Sequence, residues 1–151
     1  MTLAEVMAPA IALAREGVPM SFHLHDRIGR NKERLSWFNA SAALFLNADR
    51  TGPAVGVGEK WRNPDLADTL EAIAYHGAEW FYTGELADDI VAAVRGAVNP
   101  NTGLSGLMTK HDIETYRAVR RQPVRFPVGD EYEVIGHALP SSGGLTMAIL
   151  M

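Results

Sequence analysis

The chain has 151 residues, 47% of them apolar. This length is sufficient for a domain with one hydrophobic core and short for two domains that each have their own core. It carries 14 basic and 18 acidic residues, and this net charge of −4 argues against nucleic acid or an anionic membrane as the main partner. The absence of cysteine excludes disulfides, a thiolate nucleophile and thiolate metal ligands, and we expect a single domain over residues 1–151.

The N-terminal segment is predicted to form an amphipathic helix. Thr2 and Glu5 have the spacing of a capping box, and Gly17 supplies a stop signal. Pro9 lies inside this helix, and because it lacks an N–H and crowds the preceding turn, we expect a kink there. The segment lacks the basic region and cleavage site of a signal peptide, and no apolar run approaches the roughly 20 residues that span a bilayer. We therefore expect no membrane partner, and composition leaves the compartment open.

The next part of the chain carries weaker signals. A short helix is predicted at residues 32–38, a strand at residues 43–46 and a turn at residues 49–53. The boundaries of these elements are not defined by caps, so the sequence favours them only in this approximate order.

Two short motifs in this region could carry chemistry. His23 and His25 would share one side of an extended segment, a spacing that zinc can use, but a structural site needs about four ligands and no second pair is available. Gly56 and Gly58 match only the start of a dinucleotide-binding pattern, because the third glycine is missing. We favour surface histidines and an ordinary loop.

The middle of the chain is its most regular part and is predicted to form two helices joined by an aromatic connection. Asn63 is placed to cap the first helix and Gly77 to end it. Thr83 is placed to cap the second helix, and Gly96 to end it. The three aromatic rings of residues 80–82 would pack between the helices or against a neighbour. Core packing is favoured over base stacking, since the chain is acidic and no arginines alternate with these rings.

The C-terminal third combines a short helix, a hairpin and an apolar segment. Thr109 is predicted to cap a helix that runs through Tyr116. Residues 123–126 and 132–135 predict the two strands of a β-hairpin, with residues 127–130 as the turn. The last seven residues are almost entirely apolar, and a helix without a polar face needs a cover. We therefore expect that the natural polypeptide continues.

Residues 141–144, Ser-Ser-Gly-Gly, precede this apolar segment and could present converging backbone N–H groups to an anion. They lack the spacing of a P-loop or of a nucleophile elbow, so a plain N-cap turn is favoured. No pattern predicts a catalytic, substrate-binding or metal-binding residue, and none predicts a cofactor. The elements together predict an α+β fold that is predominantly α-helical and contains one β-hairpin.

The order of the motifs resembles the middle part of the large subunit of gamma-glutamyltranspeptidases. The residues that carry this resemblance are Ala8, Pro9, Ala10, Ile11, Leu13, Ala14, Arg15, Gly17, Pro64, Asp65, Leu66, Ala67, Thr69, Leu70, Ile73, Ala74, Gly77, Phe81, Tyr82, Gly84, Ala87, Gly106, Thr109, Asp112, Tyr116, Pro123, Pro140, Ser141, Ser142, Gly143 and Gly144. The chain departs from the family pattern at Ser105, where a second glycine is usual, and at Leu139, where proline is common.

The resemblance implies a fragment of a larger αββα N-terminal nucleophile hydrolase. In that family the precursor cleaves itself, and the freed threonine attacks the gamma-glutamyl amide of glutathione or a related compound. Its terminal amine can act as the base for the adjacent hydroxyl. The threonine, the small-subunit groups and the arginine that holds the substrate carboxylate all fall outside these residues, so the resemblance implies no catalytic or substrate-binding residue here.

The resemblance also implies partners, namely the remainder of the large subunit and the small subunit, and it implies a periplasmic or secreted location. We expect the isolated chain to be inactive and to self-associate. Two alternatives stay open: a fragment of a related cephalosporin acylase-like enzyme, or a helical protein-interaction module that presents Trp80, Phe81 and the methionine at the C-terminus.

Overall fold

A computed structural model describes residues 1–151 and confirms an α+β chain in which helices account for about half of the residues. The helices are α1 (Leu3–Glu16), α2 (Phe22–Arg30), α3 (Lys32–Leu35), α4 (Asn39–Phe45), α5 (Pro64–His76), α6 (Ala78–Thr83), α7 (Glu85–Gly96), α8 (Lys110–Glu114) and α9 (Ser142–Leu150). The strands are β1 (Val18–Pro19), β2 (Lys60–Trp61), β3 (Val124–Val128) and β4 (Tyr132–Gly136). They form two antiparallel pairs, β1 with β2 and β3 with β4.

The chain divides into two compact units, Met1–Tyr116 and Arg117–Met151. The expectation of a single domain over residues 1–151 stays a prediction. None of the helices combines the length and the apolar character that crossing a bilayer requires.

In the first unit, helix α1 is capped as the sequence predicts. The Thr2 side chain accepts a hydrogen bond from the Glu5 N–H, and the Glu5 carboxylate accepts one from the Thr2 N–H at 2.6 Å. The helix continues without interruption past Pro9, and the kink expected there stays a prediction. It ends at Gly17, whose φ of 92° lies in the region that favours glycine.

Helix α1 packs against α5, and polar contacts fix the pair at one end. The Arg15 guanidinium contacts the carboxylates of Asp68 and Glu71 at 2.9 and 2.8 Å. The Asn63 N–H donates to the Ala14 carbonyl at 2.9 Å, which places the start of α5 beside the end of α1.

A small core lies under α2, α4 and β2. It consists of the buried residues Met20, Ile28, Ala42 and Leu46. The Trp61 ring packs against this core, stacks on Phe45 with ring centres 5.5 Å apart, and donates its indole N–H to the Leu44 carbonyl at 3.0 Å.

Two predictions in this region are wrong. Residues 43–46 do not form a strand, because α4 extends through Phe45 and only Leu46 makes an isolated bridge, to Pro53. The segment containing His23 and His25 is not extended, because Ser21 caps helix α2 by accepting from the Leu24 N–H. Short apolar runs fit a buried helix as well as a strand, and the cap at Ser21 is a weak local signal. The predicted turn at residues 49–53 is present.

Helix α5 begins and ends where the sequence predicts. The Asn63 side chain accepts from the Leu66 N–H at 3.1 Å, Pro64 occupies the first turn, and Gly77 has a φ of 81°.

The connection after α5 differs from the prediction. The three rings lie within a helix of their own, α6, and Thr83 ends that helix instead of capping the next one. Its hydroxyl donates to the Glu79 carbonyl at 2.8 Å and makes no capping hydrogen bond to α7. Gly84 takes the N-cap position without a side-chain hydrogen bond, and α7 ends at Gly96 as predicted.

Helix α8 packs against α6 and α7 and has the predicted capping box. Thr109 accepts from the Asp112 N–H, and the Asp112 carboxylate accepts from the N–H and the hydroxyl of Thr109 at 2.8 and 2.7 Å. The helix ends at Glu114, two residues before the predicted end at Tyr116.

The second unit contains the predicted hairpin and the C-terminal helix. Strand β3 pairs with β4 from Val124 opposite Gly136 to Val128 opposite Tyr132, so the turn begins at Gly129 and is shorter than predicted. Helix α9 packs on both strands and includes Gly143 and Gly144 in its first turn.

Candidate functional site

The segment at residues 141–144 has a clear packing role. Ser141 occupies the N-cap position of α9, and its side chain makes no capping hydrogen bond. Gly144 is buried, and a Cβ atom there would lie 2.6 Å from the His137 carbonyl oxygen. A Cβ atom on Gly136 would lie 2.8 Å from the Gly144 Cα atom. Gly136 and Gly144 are therefore required for the backbone of α9 to approach β4, and this contact accounts for Gly144 without a bound anion, whereas a Cβ atom on Gly143 would meet only the Ser141 hydroxyl at 3.9 Å.

The histidines that suggested a metal site are not suitably arranged. His23 and His25 are two residues apart on α2, and at roughly 100° per residue their side chains leave the helix in nearly opposite directions. No group of three or more histidine, aspartate or glutamate side chains in the structure has an arrangement that could hold a metal ion.

Gly56 and Gly58 belong to a tight loop that leads into β2. The Gly56 N–H donates to the Glu59 carboxylate at 2.6 Å, and the Gly58 N–H donates to the Met20 carbonyl at 2.8 Å. No helix starts here, so the loop lacks the geometry of a dinucleotide-binding turn.

The rings around α6 form an aromatic cluster. Phe81 and Tyr82 meet edge to face at 5.0 Å, and Tyr82 stacks on Tyr116 at 6.2 Å. These rings border a small apolar cleft of about 300 Å³, with Ile90 and Ile113 also in its wall. On the other side of α6, Trp80 stacks on His76 at 6.3 Å.

The ionisable groups with perturbed pKa values belong to caps, turns and helix contacts. Hydrogen bonds from the hydroxyl and the N–H of Thr109 lower the pKa of Asp112, and those from Thr51 lower the pKa of Asp49. A hydrogen bond to Asp88, 2.8 Å away on α7, raises the pKa of Lys110. Asp49 and Asp112 are exposed and Lys110 is partly buried, and none of these groups pairs a nucleophile with a base.

Two further clefts lie in the first unit. The larger, about 660 Å³, lies between α4 and the start of α5, with Trp61 in its wall. The other, about 440 Å³, has a wall of mixed polar and aromatic character. Its lining residues are Asn31, Arg34, Leu35, Trp37, Phe38, Ser41 and Asn99.

Sequence reasoning missed the cleft of about 440 Å³. The adjacent rings of Trp37 and Phe38 are a local signal that could have been noticed. The contribution of Asn99 could not, because it comes from a loop more than sixty residues away along the chain.

The comparison with known proteins defines the class of the chain. The gamma-glutamyltranspeptidase family model matches residues 1–151, and the chain belongs to this family. It is 34% identical over 139 residues to glutathione hydrolase proenzyme 1 of Schizosaccharomyces pombe, covering 92% of this chain and 20% of that protein.

Solved structures agree with this assignment. The chain is similar to the Helicobacter pylori gamma-glutamyltranspeptidase, with a TM-score of 0.82 and 28% identity over 97% of this chain and 39% of that one. It is also similar to a cephalosporin acylase from Bacillus halodurans, with a TM-score of 0.64 and 32% identity over 84% of this chain and 23% of that one. The chain thus spans only a part of the relatives that it matches.

Proposed function

We propose that residues 1–151 form a structural part of the large subunit of an enzyme that transfers or hydrolyses the gamma-glutamyl group of glutathione and related gamma-glutamyl amides. The observation that carries this proposal is the match to the gamma-glutamyltranspeptidase family over the whole chain. The chain spans 39% of the Helicobacter pylori chain, so most of such an enzyme lies outside these residues. In this proposal the complete enzyme has the αββα N-terminal nucleophile hydrolase fold.

The use of the hydroxyl groups supports a structural role. Thr2, Ser21 and Thr109 accept hydrogen bonds from the first turns of three helices. The hydroxyls of Thr83 and Thr115 donate to backbone carbonyls one turn earlier. A nucleophilic hydroxyl needs a base within hydrogen-bonding distance, whereas these hydroxyls are engaged with the backbone. In this proposal the catalytic threonine of the enzyme lies outside residues 1–151.

The exposed apolar surface of the second unit supports a covering partner. Ile149 and Leu150 of α9 are 75% and 79% exposed, and Tyr132 and Ile135 of β4 are also exposed. Exposed apolar side chains of this size are often covered by another part of the protein. In the proposed enzyme, the remainder of the large subunit and the small subunit supply that cover.

The experiment compares the 151-residue chain with the complete polypeptide, using gamma-glutamyl-p-nitroanilide as substrate. We expect the complete polypeptide to release p-nitroaniline and the chain alone to release none. A complete polypeptide whose self-cleavage threonine is changed to alanine is the control for background hydrolysis. Turnover by the chain alone, abolished by a substitution within it, would contradict the structural role.

A second candidate is supported by the cephalosporin acylase similarity. The complete polypeptide is therefore also assayed with an acylated cephalosporin as substrate. Release of the cephalosporin nucleus without release of p-nitroaniline would favour the acylase.

A further inference from the structure

The cleft of about 440 Å³ on the first unit, named here the Trp37 cleft, has the properties of a small-molecule site. Its volume lies within the range of about 300–1,000 Å³ that is typical of ligand pockets. Its wall combines the partly buried rings of Trp37 and Phe38 with polar groups in about equal share. The polar groups come from three separate places: the end of α2, the α3–α4 region and the loop at Asn99.

The hydrogen bonds already made around the cleft leave mainly donors available. The Asn99 side-chain oxygen accepts from the Asn101 N–H at 2.9 Å, so its amide nitrogen keeps both hydrogens. The Ser41 hydroxyl, the Trp37 indole N–H and the Arg34 guanidinium form no hydrogen bond or ion pair within the chain. Asn31 contributes an acceptor, because its amide nitrogen donates to the Arg27 carbonyl and its side-chain oxygen stays free.

The wall of the Trp37 cleft carries a single positive charge. Arg34 is the only charged residue in the wall, and its neighbour Glu33 does not line the cleft. Arg30, one turn earlier, is different because it pairs with Asp26 at 2.9 Å. An arginine without a carboxylate partner, in a wall rich in donors, matches a ligand group that only accepts hydrogen bonds.

Contacts behind the wall hold the aromatic pair in place. Arg50 has a φ of 59°, and its guanidinium donates to the Ser36 carbonyl at 3.2 Å and to the Asn39 side chain at 2.8 Å. These two contacts flank Trp37 and Phe38 in the sequence and tie both ends of the pair to the same arginine. A wall that is fixed before binding reduces the entropy cost of binding.

We propose that the Trp37 cleft binds a small carboxylate whose apolar body is about the size of a phenyl ring. Arg34 pairs with the carboxylate, the free donors of Asn99 and Ser41 complete its coordination, and the rings of Trp37 and Phe38 pack on the apolar body. This site is separate from the gamma-glutamyl chemistry proposed above and does not depend on it.

The experiment uses the complete polypeptide, with sodium phenylacetate as the probe in isothermal titration calorimetry. We expect saturable binding at one site, and weaker binding of phenylacetamide, which has the same shape without the charge. Arg34→Gln should weaken phenylacetate binding at least about tenfold, because a charge-assisted hydrogen bond is lost. Arg30→Gln is the matched control, since Arg30 does not line the cleft. This variant should bind phenylacetate with the same affinity as the wild type.

Ser41→Leu is a second variant that keeps Arg34 and fills the cleft from its wall, so it should also abolish binding. Circular dichroism checks that each variant is folded, and if Arg34→Gln is not, Ser41→Leu and the phenylacetamide comparison decide the question. No saturable binding to the wild type, or wild-type affinity in Arg34→Gln or Ser41→Leu, overturns the proposal. Turnover of gamma-glutamyl-p-nitroanilide, measured in parallel, tests the proposed function alone.

Discussion

The junction between α6 and α7 provides a sharp test of how the first unit is packed. Gly84 has φ −85° and ψ −164°, which any residue can adopt, so backbone conformation does not require glycine there. Space does require it. A Cβ atom at this position would lie 2.6 Å from the Trp80 carbonyl oxygen and 3.1 Å from the Trp80 Cα atom.

The cost of Gly84→Ala follows from the nature of these contacts. The nearest atoms belong to the backbone of α6, so a side-chain rotation cannot relieve the overlap and the two helices must move apart. Such overpacking typically costs about 1–3 kcal/mol. The movement also lengthens the hydrogen bond from the Gly84 N–H to the Trp80 carbonyl, now 3.2 Å. We therefore expect the free energy of unfolding to fall by about 2 kcal/mol.

Urea unfolding of the 151-residue chain, followed by far-ultraviolet circular dichroism, measures this change. The matched control is Gly29→Ala, because Gly29 lies inside α2 and a Cβ atom there meets nothing within 4 Å. Alanine should stabilise that helix by about 0.5–1 kcal/mol. If Gly84→Ala were neutral or stabilising like Gly29→Ala, the close packing of α6 against α7 would be refuted.

Three other predictions concern the core, the pH dependence and the apolar surface. Trp61→Phe should lower the free energy of unfolding by about 1–2 kcal/mol in urea, because it leaves a carbonyl of α4 without its indole donor. The stack on Phe45 is kept, and an unchanged urea midpoint would contradict the prediction. The pKa of Asp112 is lowered from 3.8 in the folded state. The stability that the ionised carboxylate adds to the fold is therefore present above about pH 3.8 and is lost as pH falls through the folded pKa. Thr109→Val should therefore reduce the acid sensitivity of the urea midpoint, and an unchanged pH profile would count against the capping box. The 151-residue chain should self-associate through its apolar surface, and Ile149→Lys should reduce this in sedimentation velocity, whereas a monomeric wild-type profile at high concentration would refute it.

The sequence by itself determined the helices whose ends are marked by local chemistry. Asn63 and Thr109 cap α5 and α8 because their side chains reach backbone N–H groups three residues later, which is a contact set by chain geometry alone. The hairpin of β3 and β4 was predicted for a similar reason, since its strands are adjacent in the chain and rich in β-branched and aromatic residues. The family, too, was visible in the order of the motifs, and the match over residues 1–151 confirms it.

The tertiary structure decided the elements whose local signals are ambiguous. Thr83 could open α7 or close α6, and the packing of the rings of α6 against α7 and α8 selects the second choice. The run that ends at Phe45 could be a strand or a helix, and burial of Ala42 in the core with stacking of Phe45 on Trp61 selects the helix. Short segments of this kind obtain most of their stability from contacts with distant residues, which periodicity along the chain does not record.

The Trp37 cleft illustrates the same limit for a candidate site. Trp37, Phe38 and Arg34 are close in the sequence, yet nothing local indicates that Asn99 completes their wall or that Arg50 holds it from behind. Caps and turns depend on neighbours a few residues away, so the sequence alone determined them. A binding cleft depends on side chains brought together by folding, so only the tertiary structure could reveal it.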